Sequence, residues 1–141
     1  MNLRAFLPAA AALLGVSTAV LGAPASAPHA AACVAALKAQ EATLVESVKS
    51  GSPVEPDLLK VVRSGIAIIG AQYLAGLREA EARAMLKAAE QEFQALPPGD
   101  AEARQAECLG EGESIFSHAS SFERSLITAA AQRRVKRLTS T

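Results

Sequence analysis

Tryptophan is absent from this chain, tyrosine occurs once and phenylalanine four times. Platforms on which bases or sugar rings could stack are therefore nearly missing. Net charge is missing too: 14 Lys and Arg offset 14 Asp and Glu. Nothing in that balance recruits nucleic acid. No serine lies in a G-x-S-x-G elbow, and neither H-E-x-x-H nor paired Glu-x-x-His occurs, which removes the common hydrolase, zinc-protease and di-iron patterns. C-x-x-C-H, the covalent haem signature, is absent as well. Strand-type alternation is also lacking, while Ala, Leu, Glu, Lys, Arg and Gln dominate, so the expected fold class is all-α.

The first thirty residues do carry a pattern. Arg4 precedes an apolar stretch from Ala5 to Leu21, and small residues follow in "GAPASAPHA". That order is the layout of a secretory signal peptide. Cleavage after Ala23-Pro24-Ala25 leaves Ser26 first, whereas cleavage after Ala27 would leave Pro28 there, which signal peptidases reject. The expected division is a signal peptide over 1–25 and a single helical domain over 26–141, periplasmic or secreted. An uncleaved anchor is disfavoured by Pro8, Gly15, Ser17 and Thr18. "HAAAC" also resembles a lipid-attachment site at Cys33. Ala30 replaces the usual Leu there, and Pro24, Pro28 and His29 separate Cys33 from the apolar run, so that reading is discounted.

Cys33 and Cys108 are the only cysteines. In an oxidising compartment one disulfide is the default, and closing a loop of about 75 residues stabilises by about 4 to 5 kcal/mol on the chain-entropy model. Helical periodicity places a first helix near 30–49, with Cys33, Val34, Leu37, Leu44 and Val48 on one stripe. A second segment starts at Pro56 and Asp57. It carries Ile66, Ile69, Tyr73 and Leu77 on an apolar face and Ala67, Ala71 and Ala75 on a small-residue face. The stripe re-phases near Gly76, which a break would explain. A third segment ends before "PPGD", and a long last helix is expected over 101–138, its basic end projecting from a bundle of three to four segments. If the helices simply alternate at full length, Cys33 and Cys108 fall too far apart to bond. The disulfide then requires a crossover in 50–57 or one long arm over 57–96.

Four groups of residues invite chemistry. Glu41 and Glu123 fall on apolar stripes, and their expected role is pairing with an arginine such as Arg63, Arg83 or Arg124 rather than acid-base work. His118 shares a polar face with Glu111, Ser114 and Ser121, without an oxyanion loop beyond Gly110-Glu111-Gly112. A Met85 and His118 pair could ligate haem in principle, a reading that depends on the fold bringing the two side chains together. Arg133, Arg134, Lys136 and Arg137 form the densest charge cluster. It suits the negative end of the helix dipole, or an anionic lipid or lipopolysaccharide surface.

The uncharged run "SGIAIIGAQYLAGL" over 64–77 is too short to span a bilayer and is read as core. Its small face, Ala67, Ala71 and Ala75, is expected to pack closely under the last helix, with a second protein, including another copy of the chain, as the alternative occupant. The functional expectation is an exported, non-enzymatic protein acting by protein binding, as an adaptor, inhibitor, immunity or chaperone-like factor for another envelope protein, with no cofactor. Peripheral contact with anionic lipid or lipopolysaccharide through the basic end is the first alternative. A metal or cofactor carrier around His118 is the second.

Overall fold

The computed structural model describes residues 25–140. The reading of residues 1–25 as a signal peptide falls almost wholly outside the described residues. Five helices follow one another: α1 (Ala27–Lys49), α2 (Glu55–Leu74), α3 (Glu79–Gln94), α4 (Pro98–His118) and α5 (Ser121–Thr139), with no strand among the described residues. The protein is an all-α bundle stapled by Cys33–Cys108.

The helix ends follow from local chemistry. Ser26 caps α1 by accepting from the His29 N–H. Gly51 and Gly76 hold φ of +87° and +98°, a region that costs a residue with a Cβ. Each sits one residue beyond a helix C-cap, Ser50 for α1 and Ala75 for α2. There, paired backbone bonds, Gly76 N–H to Tyr73 with Leu77 N–H to Gln72 and Gly51 N–H to Val48 with Ser52 N–H to Ser47, satisfy the last carbonyls. The break expected near Gly76 is present and resets the apolar stripe between α2 and α3.

The long C-terminal helix, by contrast, is two helices. Gly110 and Gly112 do not interrupt α4; the chain turns at Ala119 and Ser120. Ser120 accepts from the Glu123 N–H while the Glu123 carboxylate accepts from the Ser120 N–H, a reciprocal capping box that starts α5. α5 then folds back against α2 and the end of α1, burying Ala131 and Val135 beside Val45, Leu58 and Val62. The basic end therefore packs on the bundle instead of projecting.

The disulfide needs neither a crossover nor a long arm. Ala36, Cys33 and His29 on α1 meet Gln105, Cys108 and Glu111 on α4 in reverse order, so the two helices are antiparallel and the cysteines stand level, Cα atoms 5.1 Å apart. The expectation of misaligned cysteines assumed helices of equal length. α3 has only 16 residues and pairs Glu90 with Lys38, midway along α1, so α4 begins its return halfway down the bundle.

α1 and α2 form the centre. One core cluster gathers Ala30, Cys33, Leu37, Val61, Ile68 and Cys108; the other surrounds Leu58 and Ala131. α2 is rotated from its expected pose: Ser64, Ala67, Ile68 and Gln72 point inward, while Ile69 and Tyr73 emerge at the surface. The cause is the number of neighbours. α2 packs on α1, α4 and α5 together, so its small face lies inside as well. At its centre α4 approaches so closely that a Cβ on Gly112 would stand 2.5 Å from the Ser64 Cβ.

Candidate functional site

Two features stand out from the packed bundle. The first is a groove between the N-terminal half of α1, the C-terminal half of α2 and the start of α3, enclosing a space of ≈ 130 Å³. A cavity of about 150 Å³ accepts a benzene ring, so this one suits a single apolar side chain or a short aliphatic group. Its walls include Ala27, Ala31, Val34, Ile68, Met85 and Leu86. Ile69 and Tyr73 belong to the lining too and are exposed, and Leu74 beside them is exposed to 81 %. Of the polar groups at the margin, Gln72 donates to the Ala25 carbonyl and Arg83 pairs with Glu79 one turn back, while Tyr73 contributes its phenol. Among the described residues, the groove thus presents mainly apolar surface.

The second feature is the corner over the disulfide. Cys33 and Cys108 are fully buried, which is incompatible with lipid carried on Cys33. His29 and Glu111 lie beside them, Nε2 to Oε2 at 2.7 Å, joining α1 to α4 at a partly exposed position. Neither residue emerges from local sequence as part of this pair. The only trace is H-x-x-x-C on one helix and C-x-x-E on another, spacings that put each pair on one helical face.

The residues singled out by sequence are scattered. Glu41 accepts two hydrogen bonds from Arg134, Nε at 2.8 Å and Nη2 at 2.7 Å, and this fork raises the Arg134 pKa above the ordinary arginine value. Its partner is thus an arginine of the C-terminal cluster, not Arg63, Arg83 or Arg124. Arg63 instead binds Glu113 at 2.7 Å and lies over the Phe116 ring. Glu123 is the third residue of α5 and closes its capping box with Ser120 instead of acting as a stripe acid, and bonds from the Ser120 backbone and hydroxyl hold its carboxyl below the usual range. Arg124 reaches the Ser117 carbonyl.

His118 is exposed, with Nδ1 2.8 Å from the Ser114 carbonyl of its own helix. Glu111 pairs with His29, Met85 faces the groove, and among the described residues only the neighbouring Ser117 hydroxyl, 3.3 Å from Nδ1, and the Ser114 carbonyl meet the His118 ring. Of the small face, Ala67 is buried, Ala71 half-buried and Ala75 exposed, so its inner part serves packing within the bundle. Arg133, Lys136 and Arg137 are exposed, whereas Arg134 is tied to Glu41.

Comparison with protein-family models, with curated proteins and with solved structures returns no match for this chain.

Proposed function

We propose that the protein is an exported, non-enzymatic helical module that works by protein binding, receiving an apolar side chain of another envelope protein in the groove between α1, α2 and α3. The observation that carries this reading is the coincidence of an apolar-walled groove with the exposed side chains of Ile69 and Tyr73 in its lining. Aromatic and aliphatic groups held open beside a pocket are the usual anchors of a binding surface. Among the described residues, no nucleophile with an adjacent base lines it.

Affinity capture from the envelope extract of the source cell tests this, comparing the wild-type chain with an Ile69→Lys/Tyr73→Glu variant. The expected result is a defined partner captured by the wild type and lost by the variant, with the helix content by circular dichroism retained at the capture temperature. A wild-type monomer that captures nothing, or equal capture by both, would overturn the reading.

A second reading rests on α5. Phe122, Leu126, Arg133 and Arg137 recur at helical spacing on one outward face, with Lys136 beside them, and Phe122 and Leu126 are 70 % and 55 % exposed. Apolar groups and cations on one exposed face suit an anionic lipid or lipopolysaccharide surface. It predicts salt-sensitive binding to anionic vesicles, lost when Arg133, Lys136 and Arg137 are replaced together.

A further inference from the structure

The disulfide corner gathers more ligand chemistry than a staple requires. His29 precedes Cys33 by one turn on α1, and Glu111 follows Cys108 by three residues on α4. Because the helices run antiparallel, both side chains reach the same side of the sulfur pair. Cys33 Sγ lies 3.8 Å from His29 Nε2 and 3.8 Å from Glu111 Oε2. All three ligand atoms fall within 4.8 Å of one another.

Those separations can be compared with a tetrahedral zinc centre. Bonds of about 2.3 Å to sulfur and about 2.0 to 2.1 Å to nitrogen or oxygen give sulfur–nitrogen and sulfur–oxygen edges of about 3.6 Å, and a nitrogen–oxygen edge of about 3.4 Å. Of the six edges of a four-ligand centre, the two from Cys33 Sγ to His29 and Glu111 are already near that length. The His29–Glu111 edge, now 2.7 Å, opens by rotation of these partly exposed side chains, and the three edges to Cys108 Sγ, which lies outside the group of three, form once reduction frees that sulfur. What the oxidised corner lacks is the thiolate, which is the ligand form of cysteine.

We infer that this corner is a thiol-gated zinc site: with Cys33 and Cys108 reduced, their two sulfurs, His29 Nε2 and a Glu111 carboxylate oxygen hold one zinc-class divalent cation, and re-forming the disulfide expels it. Reduction by a dithiol transfers two electrons and two protons, leaving two cysteine thiols and an oxidised dithiol. Zinc then displaces one proton from each thiol, so two protons leave per ion bound. In reverse, a disulfide oxidant takes two electrons from the bound thiolates and two protons from water, becoming two thiols as the cysteines join and the cation departs. The zinc keeps its charge throughout.

The test uses the full chain reduced with a dithiol, freed of reductant without air, and titrated with cobalt(II) as a spectroscopic stand-in and with zinc in competition. The expected result is one ion per reduced chain, with thiolate-to-cobalt and tetrahedral absorption bands, and no uptake by the oxidised chain. His29→Ala and Glu111→Ala should each weaken binding at least tenfold while the oxidised variants, still held by the disulfide, keep the helix content of the wild type. If the reduced chain loses helix by circular dichroism, stoichiometric zinc should restore it. The inference is overturned if the reduced chain takes up no ion, or if oxidised and reduced chains bind alike. It is equally overturned if both alanine variants bind as tightly as the wild type, which would mean two thiols of an open chain suffice, or if zinc leaves a reduced, unfolded chain unfolded.

Discussion

Gly112→Ala adds a single methyl group at the point where α4 crosses α2. An ideal Cβ there would lie 2.5 Å from the Ser64 Cβ, 2.7 Å from its carbonyl oxygen and 2.8 Å from its Cα. Ordinary carbon contacts lie at about 3.5 to 4.0 Å, so α2 and α4 must move apart by about 1 Å. The obstruction is mostly backbone, which cannot rotate away. Separation would also stretch the bonds that Arg63 and Ser64 donate to Glu113, one residue along α4. Overpacking of this kind costs about 3 kcal/mol, the upper end of the usual range, while replacing a mid-helix glycine returns about 1 kcal/mol of propensity. The expected net loss is about 2 kcal/mol, a fall in Tm of about 10 °C for a domain of this size. Gly110→Ala is the internal control. It lies on the same helix, its Cβ would meet nothing within 4 Å, and it should stabilise by about 0.5 to 1 kcal/mol. Thermal and urea unfolding followed by circular dichroism measure both. A Gly112→Ala protein as stable as Gly110→Ala would refute the close crossing, and with it the assignment of Ser64 and Ala67 to internal packing.

Much of the fold is written in short-range signals. The all-α class follows from composition and period, and the ends of α1 and α2 from Gly51 and Gly76. The turn between α4 and α5 was also present as Ser120-Ser121-Phe122-Glu123, a serine followed three residues later by glutamate, but the apolar period runs through it. Period alone cannot distinguish one long helix from two helices that bury successive stretches of the same stripe. The level of the cysteines depended on helix lengths, and so on where α3 stops, a property of the assembled bundle.

The sites were less legible because their members meet through tertiary contacts. Glu41 was recognisable as an acid on an apolar stripe, yet its arginine lies 93 residues away. His29 and Glu111 are separated by 82 residues, and each alone is an ordinary polar residue near a cysteine. The groove was hidden for another reason. Ile69 and Tyr73 have the character of core residues, and only the sharing of α2 among three neighbours turns them outward.

Loss of the disulfide in a Cys33→Ala/Cys108→Ala variant should lower the unfolding free energy in urea by about 4 to 5 kcal/mol; a loss below about 1 kcal/mol would mean the unbridged unfolded chain is already restrained. At the start of α5 the Glu123 carboxyl is held below its ordinary pKa by Ser120, so its contribution is present above the unfolded-state value of about 4.3 and is lost as pH falls through the lower folded value. Amide exchange in the first turn of α5 should accelerate over that acid interval, and Glu123→Gln should abolish the pH dependence. The pair Glu41 and Arg134 should respond asymmetrically. Glu41 keeps only 13 % of its side chain exposed, against 39 % for Arg134. Arg134→Ala therefore strands a largely buried carboxylate and should cost about 1 to 3 kcal/mol, whereas Glu41→Leu extends the apolar stripe of α1 and leaves an arginine able to reach water, a nearly neutral change. Adding Glu41→Leu to Arg134→Ala should restore most of the lost stability, because it removes the stranded charge. Equal costs for the two single variants would show that Glu41 is hydrated in solution. The same contrast separates structure from surface in the basic cluster: with its guanidinium committed to Glu41, Arg134→Ala should weaken folding yet leave vesicle binding to Arg133, Lys136 and Arg137.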